Sequence, residues 1–459
     1  MQTVAIQGLG FVGCAMAVAT ANALDKKGRP LFNVMGVDLP TKAGRERVRL
    51  INAGRFPFET VDGKILDGAK RAAARGNLAA TTDSRVFGKA DVILISINMD
   101  LVYVKDTPQA DFASFKKAIV SIGENVQEDA LLIVETTVPP GTCEKIVRPV
   151  IAEQVKKRGL NPDTIHIAHS YERVMPGADY LDSIVNFWRV YAGTTAQAAD
   201  RCEAFLSRII NCRQYPLTRL PSTTASETAK VLENSYRAMN IAFIEEWGRF
   251  AEAVGIDLYA VIDAIRRRPT HSNIRQPGFG VGGYCLTKDP LFARIAAREI
   301  FGLSGHTFPF SSQAVAVNQA MPLVSLGKIR EYFRGSVEGK RILLMGISYR
   351  QDVGDTRYSP AETFYRQAVQ EGALVTPHDP LVKYWDELRI PVRRRLPRPA
   401  GFDAVVFAVP HAAYRKIDFG RWLKTGGKPL VFDANNVLTV QQRRDITRRG
   451  NPLLSIGRG

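Results

Sequence analysis

The sequence predicts an α/β protein: two doubly wound domains joined by a central all-helical domain. Three observations carry this. Strand-sized apolar runs alternate with helical stretches through the first part of the chain. An unbroken helical periodicity replaces them from about Ser222 to Arg268, and the alternation returns at Arg341. With 459 residues the chain exceeds one ordinary domain. Three parts are expected, residues 1–215, 216–335 and 336–459.

In chain order, Val4-Ala5-Ile6 is a strand, Cys14 to Leu24 a helix, and Val34-Met35-Gly36-Val37 a second strand. Further strands fit Val92–Ile95, Leu131–Val134 and Ile165–Ala168, with a helix from Phe112 to Asn125 between two of them. Continuous apolar strands separated by helices imply a parallel sheet covered on both faces. In the middle, Val231, Leu232, Tyr236, Met239, Ala242, Phe243, Trp247 and Phe250 recur at helical spacing, and a second helix fits Ser312 to Phe333. The last part opens on the strand Arg341–Met345 ending at Gly346, with later strands at Ala373–Val375, Ala404–Ala408 and Leu430–Phe432.

Composition narrows the class. Hydrophobic residues are 45% and charged residues 23%, which excludes a disordered, collagen-like or coiled-coil chain. The net charge of +17 favours anionic partners. Five cysteines, Cys14, Cys143, Cys202, Cys212 and Cys285, have no metal or disulfide spacing, which suits a reducing compartment. No apolar run approaches a membrane span, and Met1-Gln2-Thr3-Val4 does not open like a leader peptide. A cytoplasmic protein without membrane contact is expected. The charge also raises a non-enzymatic nucleic-acid binder. The basic residues are dispersed, however, and no zinc knuckle, helix-turn-helix or aromatic RNA-binding pattern accompanies them, so no nucleic acid is expected. Basic clusters at Arg393–Arg395, Arg443-Arg444 and Arg448-Arg449 fall in the last part. His166 and His169 lie in an apolar strand with no further ligand to complete a metal set, and no metal is expected.

Gly8-Leu9-Gly10-Phe11-Val12-Gly13 follows the first strand and opens the first helix. In this context G-x-G-x-x-G is the Rossmann dinucleotide fingerprint. The first glycine makes the turn, the second admits the pyrophosphate, and the third lets helix and strand pack closely. Asp38, after the second strand, can accept both ribose hydroxyls and would repel a 2′-phosphate, so the cofactor reads as NAD. Lys42 and Arg45 are the nearby cations that could favour NADP; they fit an exposed helix face better. The third part, with Gly346 alone, reads as a second Rossmann-like fold lacking the fingerprint.

The stretch Pro277-Gly278-Phe279-Gly280-Val281-Gly282-Gly283-Tyr284-Cys285-Leu286-Thr287-Lys288-Asp289 sets four glycines before a cysteine, with a lysine and a carboxylate after it. Glycines admit close backbone approach, and a nearby cation raises the thiolate fraction. Taken alone, a Gly-Gly-x-Cys run is better read as a tight loop with a buried cysteine.

Together with other motifs, the loop closely resembles the UDP-glucose/GDP-mannose dehydrogenase family, leaning to its UDP-N-acetylhexosamine branch. The likeness runs through Asn52-Ala53-Gly54, Ile95-Ser96-Ile97-Asn98, Glu135 to Thr142, Ser170 to Gly177, Glu227 to Glu246, and Gly346-Ile347-Ser348-Tyr349-Arg350 with Asp352, Asp355, Arg357, Ser359 and Pro360. It implies oxidation of the C6 hydroxymethyl of a nucleotide sugar to a carboxylate, with two NAD per product and a Cys285 thiohemiacetal and thioester. It implies that Lys230 and Asn234 stabilise the reacting oxygen and that Thr137, Glu172 and Asp289 serve an ordered water and proton transfer, the base among them being left open. Ser96, Glu135, Thr137 and Arg357 match cofactor contacts, beside Gly8, Gly10, Phe11, Val12, Gly13 and Asp38. Glu172, Arg173, Lys230, Asn234, Arg237, Arg275, Gly280, Gly282, Tyr349 and Arg350 match substrate contacts, with Asn240 and Lys288 as further candidates. A UDP sugar and a homodimer through the middle helices are implied, Arg275 reaching across. Tyr171, Tyr284, Arg350 and Asn435 depart from the commoner pattern of proline, histidine, lysine and arginine. Hydroxyacid and 6-phosphogluconate-type dehydrogenases share a fingerprint and helical middle, but they make one hydride transfer and need no cysteine.

Overall fold

The protein is described from a computed structural model over residues 1–105, 107–424 and 427–459. It divides into two compact units, residues 1–233 with 291–307, and residues 234–290 with 308–459.

The first unit is built on an eight-stranded sheet: β1 Gln2–Gln7, β2 Phe32–Val37, β3 Leu78–Thr81, β4 Val92–Ile95, β5 Leu131–Val134, β6 His166–His169, β7 Val190–Gly193 and β8 Thr218–Arg219, in the order β8-β7-β6-β5-β4-β1-β2-β3. Every residue of β4 and β5 is buried, as a sheet covered on both faces requires. The parallel sheet expected from the sequence holds from β3 to β6, whereas β7 pairs antiparallel to β6, with Ala168 opposite Gly193. The reason lies in the connection. A parallel neighbour needs a crossover that carries the chain back along the sheet. Between β6 and β7 the only helix is the short Asp182–Val185, so the chain re-enters from the end it left.

The predicted helix at Cys14–Leu24 forms as Phe11–Ala21, beginning directly after the glycine turn. Its buried face, from Cys14 through Ala21, joins Val4, Ile6, Val34, Val92 and Ile133 in one core.

The second unit contains a parallel five-stranded sheet: β9 Arg341–Met345, β10 Leu374–His378, β11 Ala404–Phe407, β12 Leu430–Asp433 and β13 Leu453–Ser455, in the order β10-β9-β11-β12-β13. Period-two alternation explains the unbroken apolar run of β9. Ile342 and Leu344 pack into one core with Phe279, Phe364 and Trp385; Leu343 and Met345 pack into another with Tyr414 and Phe419.

The middle of the chain is helical, as its periodicity predicts. Thr223–Ala253 is one 31-residue helix, followed by Leu258–Arg266, and Pro309–Tyr332 is the second long helix. Among the described residues no helix is long and apolar enough to cross a membrane.

Candidate active site

In the first unit the fingerprint glycines are explained one by one. Gly8 has φ +91°, and a Cβ there would lie 2.6 Å from the Ser96 carbonyl oxygen; a Cβ at Gly13 would meet the Gly8 carbonyl oxygen at 1.8 Å. Around Gly10 the position of a Cβ is open, with nothing within 4 Å. Gly10 also begins the Phe11–Ala21 helix without any side-chain cap, so the first helical N–H groups face that open space. A pyrophosphate fits there on both counts. Phe11 stacks on Phe58 with ring centroids 4.0 Å apart and accepts at its carbonyl from the Tyr180 hydroxyl at 2.7 Å, while Val12 packs against the core.

Asp38 stands at the end of β2. One carboxylate oxygen accepts from the Arg47 Nε at 2.7 Å and the other from the Leu39 N–H at 2.7 Å. The cation beside Asp38 is therefore Arg47, rather than Lys42 or Arg45; Arg45 turns back to the Pro40 carbonyl. Asp38→Ala is expected to weaken NAD by about tenfold and to admit NADP, since Arg47 would then be a free partner for a 2′-phosphate. Initial rates with the two cofactors test this; an unchanged preference removes Asp38 from the ribose site.

Ser96 donates to Glu135 at 2.8 Å, and Glu135 is ion-paired to Arg189, both carboxylate and guanidinium being buried. Burial pushes the Glu135 carboxyl up, and Arg189 and Ser96 oppose it. The sequence gives no sign of Arg189, a lone basic residue outside every motif. Thr137 lies half-buried in the following loop. That loop is tied to the long helix by Glu227, which accepts from the Gly141 N–H at 2.5 Å and the Cys143 N–H at 2.8 Å.

Burial raises Glu227 from the ordinary carboxylate range to about 7. A carboxyl whose folded pKa lies above its unfolded value stabilises the fold below the unfolded pKa, and that contribution is lost as pH rises through about 7. Glu227→Gln should therefore remove a loss of about 3 kcal/mol between pH 5 and pH 8. Denaturant midpoints at the two pH values check it, and equal pH dependence in both proteins would defeat it.

Three residues beyond Glu227, the Lys230 ammonium donates to the Glu172 carbonyl at 2.9 Å and sits 5.2 Å from the centroid of the Tyr171 ring. Arg173 lies 5.1 Å from the same ring, donates to the Tyr171 hydroxyl at 3.1 Å and forms a bidentate pair with Glu233. Tyr171, which replaces the commoner proline, is thus a buried aromatic floor under two cations. The Glu172 carboxylate accepts from the Val174 N–H. His169 and His166 take separate partners, Ser226 at 2.8 Å and Asp129 at 3.1 Å, and burial depresses His169 to about 3, keeping it neutral.

In the second unit, Cys285 is exposed and caps a loop whose carbonyl accepts the N–H groups of Lys288 and Asp289. Asp289 is fully buried. It accepts from the Lys288 ammonium at 2.6 Å and from the Asn234 amide at 2.8 Å, leaving the Asn234 Oδ1 buried without a partner. Lys288 is committed to this carboxylate and to the Tyr284 ring, 4.1 Å away. The glycines answer to packing inside the protein. A Cβ at Gly278 would lie 2.5 Å from Asn435 Oδ1, at Gly280 2.8 Å from Pro360, and at Gly282 and Gly283 2.7 Å from Tyr349. Tyr349 is pushed up to about 12, chiefly by burial, with Asp355 and Cys285 adding to it. Asn435, which replaces the commoner arginine, donates to the Ala408 carbonyl.

Arg357 is held by Asp355 through bonds of 2.7–3.2 Å. Arg237, Arg275 and Arg350 are exposed; the Arg275 backbone N–H donates to Asn240. The turn carrying Tyr349 and Arg350 is fixed by a buried group outside every motif read above. Asp379 accepts from the Ile347 and Ser348 N–H groups, and His411 Nε2 lies 3.0 Å from the Ser348 hydroxyl and 3.2 Å from Asp379.

Three segments of the chain match one family in order. Residues 2–210 match the NAD binding domain of the UDP-glucose/GDP-mannose dehydrogenase family, 224–320 its central domain, and 343–440 its UDP binding domain. The chain belongs to this family. It is an NAD-dependent nucleotide-sugar dehydrogenase, with a fold of two α/β domains and a helical middle. Among its relatives, a UDP-N-acetyl-D-mannosamine dehydrogenase of Methanocaldococcus jannaschii is 28% identical, covering 95% of this chain and 92% of the relative. An NDP-N-acetyl-D-galactosaminuronic acid dehydrogenase of Ralstonia nicotianae is 29% identical, covering 92% and 93%. The solved UDP-D-ManNAc dehydrogenase of Pyrococcus horikoshii superposes with a TM-score of 0.82 at 26% identity over the whole of both chains.

Proposed function

We propose that this dehydrogenase oxidises the C6 hydroxymethyl of a UDP-N-acetylhexosamine to the uronic acid, for polysaccharide or glycoconjugate precursor synthesis. The relatives named for N-acetylmannosamine and N-acetylgalactosaminuronic acid support the N-acetyl branch, UDP-glucose being the alternative. The observation that carries the four-electron chemistry is the exposed Cys285 following four glycines, with the Asp289–Lys288–Asn234 network behind it. The N-terminal part binds NAD, the middle supplies the cysteine loop, and residues 336–459 hold the nucleotide.

Gly8, Gly10, Gly13 and Asp38 would hold NAD, two molecules of which would each accept one hydride per product. Lys230 and Asn234, one turn apart on the long helix, stabilise the oxygen that bears charge as the alcohol becomes an aldehyde. The Cys285 thiolate adds to the aldehyde carbon, giving a thiohemiacetal. Loss of hydride from that carbon leaves a thioester, and water then displaces the thiolate as the acid forms. Asp289, Glu172 and Thr137 are proposed to serve the ordered water and the proton transfers, the base among them being left open. The deciding experiment counts NADH against UDP-N-acetylmannosamine, UDP-N-acetylglucosamine, UDP-glucose, a UDP-galactose-type sugar and GDP-mannose. Two NADH per N-acetylhexosamine supports the reading; one NADH per substrate would overturn it.

The enzyme is proposed to act as a homodimer through the long helix. Phe243, Trp247 and Phe250 are each about half exposed and pack edge to face along it. Tyr259, on the following helix, is buried and takes no part in this exposed row, its hydroxyl donating to the Pro277 carbonyl. Trp247→Glu should shift sedimentation toward the ~51 kDa monomer; a wild-type chain that already sediments as a monomer at micromolar concentration defeats the proposal.

A further inference from the structure

The basic clusters near the C-terminus take no part in the chemistry above, yet the fold gathers them. Arg443, Arg444 and Arg448 of the Val440–Arg448 helix converge with Arg415 and Arg458 on one cavity of about 690 Å³. Asn436, Leu438, Thr439, Val440 and Thr447 complete its lining, which contains no carboxylate. The volume is that of a small-molecule site. None of its residues belongs to the cysteine loop or to the 346–350 turn.

Charge within it is unbalanced. Two of the five arginines are countered from outside the lining, Arg443 by Asp433 and Arg458 by Asp257. Arg448 reaches Asp445 only at 3.9 Å, and Arg415 and Arg444 have no acidic partner among the described residues. Among the described residues the buried Nε groups of Arg443 and Arg458 have no hydrogen-bond partner, although the remaining nitrogens of both guanidiniums are engaged by Ser455, Asn436 and the two carboxylates. A buried donor without an acceptor costs about 1–3 kcal/mol. Burial, reinforced by Arg458 and opposed by Asp433, also depresses Arg443. A multiply charged oxyanion in the cavity would supply the counter-charge that this lining lacks, meeting the exposed guanidiniums of Arg415, Arg444 and Arg448. Leu438 and Val440 add an apolar wall.

We infer that this cavity is a second anion site, separate from the cysteine loop, that takes the adjacent phosphoryl groups of a small diphosphate-bearing molecule. The test is a calorimetric titration of inorganic pyrophosphate into the full-length enzyme saturated with UDP and NADH. One equivalent should bind, and Arg415→Ala/Arg444→Ala should weaken it at least about tenfold. Arg421→Ala, an exposed arginine elsewhere in the same unit, should change nothing. Both rim arginines are exposed and form no ion pair among the described residues, so the double variant should keep its fold; an unchanged NADH-forming rate verifies that. ADP in place of pyrophosphate separates the sources: tighter binding means that the apolar wall holds a nucleoside, weaker binding that a polyphosphate is preferred, and both keep the site. Absence of millimolar binding, equal binding to the double variant, or binding only when UDP is omitted overturns the inference.

Discussion

Replacing Cys285 by alanine is expected to lower uronic-acid formation by at least about a thousandfold, because the second oxidation has no alternative route. Added aldehyde should not rescue it. Cys285→Ser is the more informative variant. Its weaker oxygen nucleophile still adds to the aldehyde, and the ester that follows hydrolyses slowly. A species heavier than the protein by one oxidised nucleotide sugar should accumulate and be seen by intact-protein mass spectrometry. The exposed position of Cys285 leaves room for such an adduct. Two NADH per substrate from the alanine variant at a near-normal rate would refute the covalent mechanism.

The second large effect is expected at Lys230. Its ammonium is anchored by the Glu172 backbone carbonyl beside the Tyr171 ring, and among the described residues no carboxylate is bonded to it. Its charge is thus available to a developing alkoxide. Lys230→Met should reduce kcat by about 10²–10³-fold with a smaller change in KM, the signature of an interaction made in the transition state. Lys230→Arg should recover little, because the planar fork cannot reproduce a compact ammonium over the ring. Tyr171→Phe should leave kcat nearly intact, since the ring remains. A large rise in KM with unchanged kcat in Lys230→Met would assign the lysine to ground-state binding.

What could be read from the sequence was what depends on local spacing. Gly8, Gly10 and Gly13 announce themselves by their spacing between the first strand and the first helix, and nine strands of the two sheets show as apolar runs, whereas β3, β7, β8 and β13 are not among them. The reversal of β7 was not legible, because it follows from a connection too poor in helix to cross the sheet. Arg189 and the Ser348–Asp379–His411 group were hidden for another reason. Their partners are 54, 31 and 63 residues apart in the chain, and no periodicity marks a pair closed by tertiary folding. The cysteine loop falls between. Its glycines were expected to make room for substrate backbone contacts; the structure shows that they also make room for Tyr349, Pro360 and Asn435.

That tight seating bears on how such an enzyme could be redirected to another sugar. A library that randomises positions 280, 282 and 283 would be spent on misfolded clones, because even a methyl group at each would meet proline, backbone or ring atoms at 2.7–2.8 Å, whereas Gly278 faces only the movable tip of Asn435. Gly283 is barred twice over, since its φ of +85° is closed to ordinary side chains. Diversity belongs on the interleaved positions Gln276, Val281 and Tyr284, which are exposed or half-buried on the same loop. The glycines are then the fixed frame, and new specificity has to be written in the residues between them.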